Sequence, residues 1–281
     1  MELSLRLRTI TELLDSSDTL ADVGCDHGYV SIWLVQNGKF KRALAMDVRK
    51  GPLAIASSNI TNYNLTNSIE TRLSDGLVCY NIGEADSLVI AGMGGILIQK
   101  ILSKDEDKSR SFTQMLLQPQ SEIGQVRAYV RELGYFIDKE AIVFEDGKYY
   151  PMFHLTKTEP DDNVRERVKA DLTALINHSY LALIKEYQDT VYPDETVIRL
   201  DVAEDVINLY GEYLLFNREA SLRDYLLWQK GVLADVDAKI RGSIEAAGNI
   251  ESVSPKLKNR YNEHLMDKLF NSVALTYLGY V

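Results

Sequence analysis

Cysteine is nearly missing from this 281-residue chain, which has only Cys25 and Cys79. That scarcity excludes a disulfide-stapled scaffold and a cysteine-rich zinc module, and it fits a reducing compartment, so the expected location is cytoplasmic. Long apolar runs are also missing. No stretch reaches the roughly 18 apolar residues that a membrane span needs, and Met1 to Arg6 has no apolar segment of signal-peptide type. Nor is there an excess of positive charge: 31 Lys and Arg stand against 41 Asp and Glu, a net charge of -10. A chain of this balance does not bind polyanions over its whole surface, so any nucleic-acid contact has to come from a local basic patch. What is present, 46% hydrophobic and 26% charged residues, is an ordinary globular composition with enough apolar material for a core.

The first half alternates short β-type runs with helical patterns. Strands are expected at Thr19 to Val23, Arg42 to Asp47, Ile69 to Leu73, Ser87 to Ala91 and Met115 to Gln118. Helices are expected at Tyr29 to Asn37, Gly51 to Tyr63, Ile96 to Leu102 and Glu122 to Leu133, the last with Ser121 as its N-cap. Five strands alternating with four helices imply an α/β fold with a parallel sheet covered on both faces. After Gly134 two β-type runs, Tyr135 to Glu145 and Tyr149 to Thr156, follow one another around Asp146-Gly147-Lys148 and read as a hairpin. A Rossmann-like parallel sheet that ends in an antiparallel strand points to the methyltransferase variant of the fold.

Composition shifts at Lys157 to Asn163, where Thr158-Glu159-Pro160-Asp161-Asp162 is polar and breaks helices. The expected division is a catalytic domain at 1-157 and a helical domain at 158-281. Beyond the boundary only helical periodicity remains, at Val168, Leu172 and Leu175 and again at Leu222, Leu226, Gln229, Leu233, Val236 and Ile240. The second set forms an a/d seam, which suits a helical hairpin or a dimeric coiled coil; the chain is therefore expected to be a monomer or a weak dimer through these helices. The first 157 residues carry 17 basic and 20 acidic side chains, the remainder 14 and 21, so most of the negative charge lies in the helical half.

Four loops at the ends of successive strands carry ligand-type residues. Asp22-Val23-Gly24-Cys25-Asp26-His27-Gly28-Tyr29 is a strand to glycine-turn to helix transition. Its glycines are spaced G-x-x-x-G, not G-x-G-x-x-G, and its acids suit a ligand with a zwitterionic amino-acid end better than a pyrophosphate. S-adenosylmethionine has such an end. The expected cofactor contacts here are Asp22, Gly24, Cys25, Asp26, His27 and Gly28, although a tight turn alone would also use the glycines. Asp47, followed by Val48, ends the second strand, where an acid can accept both hydroxyls of a ribose. Asp75 and Gly76 follow the third strand, where a carboxylate or backbone amide can meet an adenine edge, and Ala91, Gly92, Met93 and Gly94 follow the fourth, where backbone can lie against the reacting groups. Open α/β sheets bind ligands at the carboxyl ends of their strands, and all four loops fall there.

The Asp22 to Tyr29 segment, Lys50-Gly51-Pro52, Ile90-Ala91-Gly92-Met93-Gly94-Gly95 and Leu117-Gln118-Pro119 resemble the bacterial tRNA (adenine-22-N1)-methyltransferase family over roughly residues 4 to 157. Tyr210-Gly211-Glu212-Tyr213-Leu214-Leu215 resembles that family's C-terminal helical segment. The resemblance implies a class I S-adenosylmethionine-dependent methyltransferase domain, S-adenosylhomocysteine as product, tRNA as partner, and a coiled-coil-like helical domain. The family commonly has D-I-G-S-D-H-A-Y where this chain has Cys25 and Gly28, which keeps the loop size. Residues 160 to 205 and the tail after Lys256 depart from the family's short C-terminal domain.

Methylating adenine N1 requires alignment of an in-plane lone pair with an activated methyl, and it leaves a cationic ring. Asp26 is the first expected catalytic carboxylate and Asp75 the second, with Met93, His27 and Tyr29 lining a pocket for the unstacked base. The Asn/Asp-Pro-Pro-Tyr/Phe motif of exocyclic-amine methylation is absent from the Gly92 to Gly95 position. A basic rim for phosphates is expected from Arg6, Arg8, Lys39, Lys41, Arg42, Arg49 and Lys50. No metal is expected, since Cys25, Asp26 and His27 in one turn cannot all face one ion. Two alternatives remain at this level: methylation of another acceptor (rRNA, protein or a small molecule), or a non-catalytic scaffold that keeps the fold.

Overall fold

The computed structural model describes residues 1–185 and 201–280, so residues 186–200 of the family-divergent 160 to 205 segment lie outside the described residues. The chain forms two compact units, Met1–Asp162 and Asn163–Val281.

The first unit opens with helix α1 (Leu5–Leu13), whose N-cap Ser4 accepts a hydrogen bond from the Leu7 amide. It is followed by β1 (Ser17–Val23), α2 (Tyr29–Gln36), β2 (Phe40–Asp47), α3 (Lys50–Asn62) and β3 (Ile69–Leu73). Next come β4 (Ser87–Met93), α4 (Gly95–Ser103), a short α5 (Glu106–Ser109), β5 (Gln114–Pro119), α6 (Ile123–Glu132), and the strands β6 (Phe136–Glu145) and β7 (Lys148–Thr156). The sheet order is β3-β2-β1-β4-β5-β7-β6. Strands β1 to β5 are parallel, while β7 runs antiparallel to both β5 and β6. The antiparallel last strand anticipated from the hairpin signal is thus the inner partner of β5, and β6 forms the edge.

Central strands of a sheet covered on both faces are buried along nearly their whole length and mostly apolar. In β1 the run Leu20 to Val23 is buried, in β4 the run Ser87 to Ile90, and in β5 every residue from Gln114 to Pro119. Helix α1 was not expected from periodicity, being only nine residues long with two arginines in its first turn. It forms because Ile10 and Leu14 are fully sequestered in the core cluster with Leu20, Val89 and Leu116, each such side chain contributing about 1.5–3 kcal/mol.

The N-cap of α6 is a correction. Glu122, at φ 46, occupies that position with no side-chain cap bond, while the Ser121 hydroxyl accepts from the Gly95 amide at 3.2 Å. Gly95 is tied to this turn because a Cβ there would collide with the Ser121 carbonyl oxygen. Behind α6, Arg127 and Glu140 form an ion pair buried to 1% and 0% side-chain exposure, with Nε donating to Oε1 at 2.9 Å and the guanidinium 4.9 Å above the Phe153 ring.

The second unit, among its described residues, is helical. In α7 (Val164–Ser179) Val164, Val168, Leu172 and Ile176 are buried; Ile176 takes the place that periodicity gave to Leu175. Helices α8 (Val202–Tyr210) and α9 (Glu212–Phe216) meet at Gly211, whose φ of 91 turns the chain between them. The long α10 (Ala220–Ala246) carries the seam, with Leu222, Leu226, Leu233 and Ile240 buried, and it packs against α11 (Pro255–Tyr277) of the same chain. The hairpin alternative is therefore the one that the fold adopts. Its polar position is matched across the pair: Asn271 Nδ2 donates to Gln229 Oε1 at 2.9 Å and to the Leu226 carbonyl at 3.0 Å, and Tyr210 also donates to Gln229 Oε1. A buried polar contact of this kind fixes helix register.

Candidate active site

The strand order reverses direction between β1 and β4, and a crevice opens at that switch point beyond the carboxyl ends of the strands. It is a cleft of about 640 Å³, within the range that ligand sites occupy. The turn after β1 shapes one wall. The Gly24 and Cys25 amides both donate to the Met46 carbonyl, at 2.8 and 3.0 Å, and the Gly28 amide donates back to Cys25 at 2.7 Å. This turn needs left-handed backbone at Gly24 (φ 78), Asp26 (φ 50) and Gly28 (φ 75). Glycine adopts such angles without penalty, whereas Asp26 carries some strain, an arrangement that clusters at functional sites.

Four carboxylates converge here with different environments. Asp22 is buried and accepts from the Ser31 hydroxyl at 2.7 Å; burial, reinforced by the Asp47 charge, pushes its carboxyl up to about 6. Asp47, also buried, accepts from the Asp26 amide at 3.3 Å and from the Arg49 amide at 2.8 Å, which ties the end of β2 to both neighbouring loops. Asp26 is solvent-facing, 3.7 Å from His27 Nε2 and 3.9 Å from Arg49 Nη2. Asp75 is held on the Lys104 ammonium at 2.9 Å, a hydrogen bond that lowers its carboxyl below the usual range.

Of the residues singled out from sequence, the cleft is lined by Arg6, Asp22, Gly24, Cys25, Asp26, His27, Tyr29, Asp47, Val48, Arg49, Asp75, Gly76, Ala91, Gly92 and Met93. Gly28, Gly94, Arg8 and Lys50 are not part of that lining. Gly28 starts α2, where a Cβ would stand 3.2 Å from the Ala56 Cβ, so close packing of α2 on α3 explains it; Gly94 caps α4. Arg8 is exposed and paired with Glu12. The expected basic rim is corrected at Lys39, Lys41 and Arg42. Lys41 and Arg42 pair with Asp18 at the start of β1, and Lys39 donates to the Thr11 carbonyl; β2 begins there, so these cations lie at the opposite end of the strands from the cleft.

Cys25 is buried and its thiol is pushed far up by desolvation and by the neighbouring carboxylates, so it stays protonated and is no nucleophile. Sequence reasoning missed Leu97, Ile101 and Gln120, which also line the cleft, and missed what Gln118 does behind it. Among the described residues one cluster has metal-ligand composition, Asp15, Asp138 and His154, but Asp15 is engaged by Lys139 at 2.6 Å and His154 by Asp138 and Gln114. No helix among those residues is long and apolar enough to cross a membrane.

A methyltransferase-domain family model matches residues 3–153. The tRNA (adenine(22)-N(1))-methyltransferase of Bacillus subtilis (strain 168) is 36% identical over 150 residues, which are 53% of this chain and 63% of that protein. The chain thus matches just under two-thirds of that relative's length. The crystal structure of the B. subtilis M1A22 tRNA methyltransferase TrmK superposes with TM-score 0.71 at 23% identity, covering 98% of this chain and 99% of the other. The structure of M. capricolum TrmK in complex with S-adenosyl-homocysteine gives 0.65 at 23% identity, covering 96% and 98%. At such identities the two structures speak for the fold alone. The sheet order, the switch-point cleft and the match over residues 3–153 lead to one statement: this chain belongs to the methyltransferase-domain family.

Proposed function

We propose that the protein transfers a methyl group from S-adenosylmethionine to N1 of an adenine in tRNA, adenine 22 by analogy with its B. subtilis relative. The observation that carries this reading is the convergence of Asp22, Asp26, Asp47 and Asp75 with the Gly92-Met93 backbone in one switch-point cleft. The donor set fits the cofactor. A carboxyl pushed up by burial, as at Asp22, is a good partner for a ligand ammonium; Asp47 ends β2 where a ribose diol is met; and glycine at position 24 meets a backbone φ of 78 that side-chain-bearing residues rarely adopt. When bound, S-adenosylmethionine supplies a methyl activated by its sulfonium.

The chain's own work is alignment and charge. Tyr29 and His27 meet edge to face, with ring centroids 5.8 Å apart, and offer an aromatic corner for an unstacked base. Asp26 faces the charge that grows on the adenine ring. Met93, at the end of β4, and the Gly92 backbone set the distance between base and methyl. Arg49 at the mouth is the cation best placed for a phosphate, and Arg8 and Lys50 add charge outside the cleft. In this reading the enzyme is cytoplasmic, with the division near 157/158 separating catalysis from a helical unit that helps to hold tRNA. It acts as a monomer or a weak dimer. The test is incubation of unmodified tRNA transcripts with methyl-labelled cofactor and mapping of the modified base.

Asp22 gives the reading a pH signature. In the free cleft Asp22 is protonated below about 6, and a ligand ammonium favours the ionised form. Affinity for S-adenosylhomocysteine should therefore be flat above pH 7 and fall by up to about tenfold per pH unit below 6. Because this carboxyl is raised on folding, its contribution to the unliganded protein's stability is present at low pH and lost as pH rises through about 6. Calorimetric titration between pH 5 and 8 checks the first effect; Asp22→Asn should bind more weakly at pH 7.5 and lose the slope. A wild-type slope that persists in Asp22→Asn assigns the proton to another group.

A further inference from the structure

Arg6 looked in the sequence like one more phosphate contact beside Arg8. The structure separates the two. Arg8 is exposed, with 66% of its side chain accessible, whereas Arg6 is 24% accessible and lies in the wall of the cleft. Its surroundings are built. The guanidinium stands 5.3 Å from the Tyr150 ring centroid, 4.0 Å from Glu145 Oε2, and its Nη1 donates to Gln118 Oε1 at 3.2 Å. The Arg6 amide donates to the other oxygen of Glu145 at 3.1 Å, so main chain and side chain are both fastened to β6.

Gln118 is fully buried, and the oxygen that receives Arg6 also accepts from the Gly92 amide at 3.1 Å. Gly92 is where the β4–β5 register shifts, and its φ of 77 aims the chain toward Met93. A Cβ at Gly92 would stand 3.7 Å from Arg6 Nη1 and 4.0 Å from Gln120 Nε2, so the open side of this loop faces the guanidinium. One amide oxygen thus links helix α1 to the loop that sets the distance of transfer.

We propose that Arg6 is a positioning residue for methyl transfer: through Gln118 it holds the Gly92-Met93 backbone, and it is not a phosphate contact. This rests on the methyltransferase reading above. Glu145 makes the arrangement electrostatically sensible, because an unbalanced cation in the cleft would oppose the positive charge that develops on the acceptor base. A point charge with three rotatable donors does not replace the planar fork that reaches Tyr150, Glu145 and Gln118 together, so lysine is a poor substitute.

The experiment measures single-turnover rate at saturating tRNA, tRNA Kd, S-adenosylhomocysteine Kd and Tm for wild type, Arg6→Lys, Arg6→Ala, Gln118→Leu and the Arg6→Ala/Gln118→Leu double variant. The expected result is a rate loss of about 10- to 100-fold in both Arg6 variants, the scale of a small misplacement of reacting groups, with both Kd values within about threefold of wild type. Arg6→Lys keeps the charge and the aliphatic stem, so it remains informative if Arg6→Ala loses stability. In the Gln118→Leu background, Arg6→Ala should cost less than about threefold, because the link is already cut. A tRNA Kd raised tenfold or more with an intact saturated rate would make Arg6 a phosphate contact and overturn the proposal, as would full additivity in the double variant. If wild type itself methylates no tRNA, it is the methyltransferase reading that fails.

Discussion

Replacing Asp26 with glycine should lower the saturated rate of methyl transfer about 100-fold while leaving S-adenosylhomocysteine affinity within about threefold of wild type, the scale seen when a single group aimed at developing charge is lost. Glycine is the informative substitution. Asp26 sits at φ 50 between two glycines of the cleft turn, a conformation that alanine would adopt only at a cost of about 1–2 kcal/mol. Glycine removes the carboxylate and relaxes the backbone, so a loss of rate cannot be assigned to a distorted turn. The Asp26 amide still donates to Asp47, so the turn stays tied to the end of β2. Asp26→Asn keeps an acceptor for the exocyclic amine without the charge, and it should fall between the two. Asp26→Gly turning over at the wild-type rate would move the role to Asp75, whose carboxylate would first have to leave Lys104.

The largest expected effect on stability lies behind the cleft. Arg127→Leu takes the guanidinium away from Glu140, whose side chain has 0% exposure, and breaking a buried pair from one side costs about 3–5 kcal/mol. For a unit of this size that corresponds to a fall in Tm of about 10 °C or more, read by calorimetry or circular dichroism. The converse is equally specific: the Arg127→Met/Glu140→Leu double variant, which removes both charges and restores apolar volume, should recover most of the loss. The pair joins α6 to β6, and β6 carries Glu145, so a damaged pair should also slow catalysis at temperatures where the protein is still folded. An Arg127→Leu variant as stable as wild type would mean that the pair is structurally idle.

The strand ends were legible because their chemistry is local. Asp22 to Tyr29, Asp47, Asp75 and the Gly92 loop stand out within a few residues of sequence, and alternation of β-type runs with helical runs placed them at the same end of one sheet. The hairpin after Gly134 was legible through its turn residues. What failed was whatever depends on distant partners. Helix α1 is too short to show periodicity, and the contacts that give Arg6 its place join residues 112 and 139 apart in the chain. Lys41 and Arg42 lie near Asp47 in sequence, but they occupy the other end of the same strand, which a linear reading blurs. Ser121 has the residue type of a cap, yet its hydroxyl is taken by the Gly95 amide, and Glu122 turns the chain instead. Glycine was ambiguous throughout: at Gly24 it meets a left-handed turn, and at Gly28 it also lets two helices approach.

The net charge of -10 does not stand against a tRNA partner, because the excess lies mainly beyond residue 157 and the cleft mouth carries Arg49. The most direct test of that partnership is transfer of labelled methyl to an unmodified tRNA transcript, followed by nuclease mapping of the product nucleoside. The account predicts 1-methyladenosine at a single position, abolished when that adenine is replaced by guanine. Label confined to another nucleoside, or to protein with none in tRNA, would contradict it.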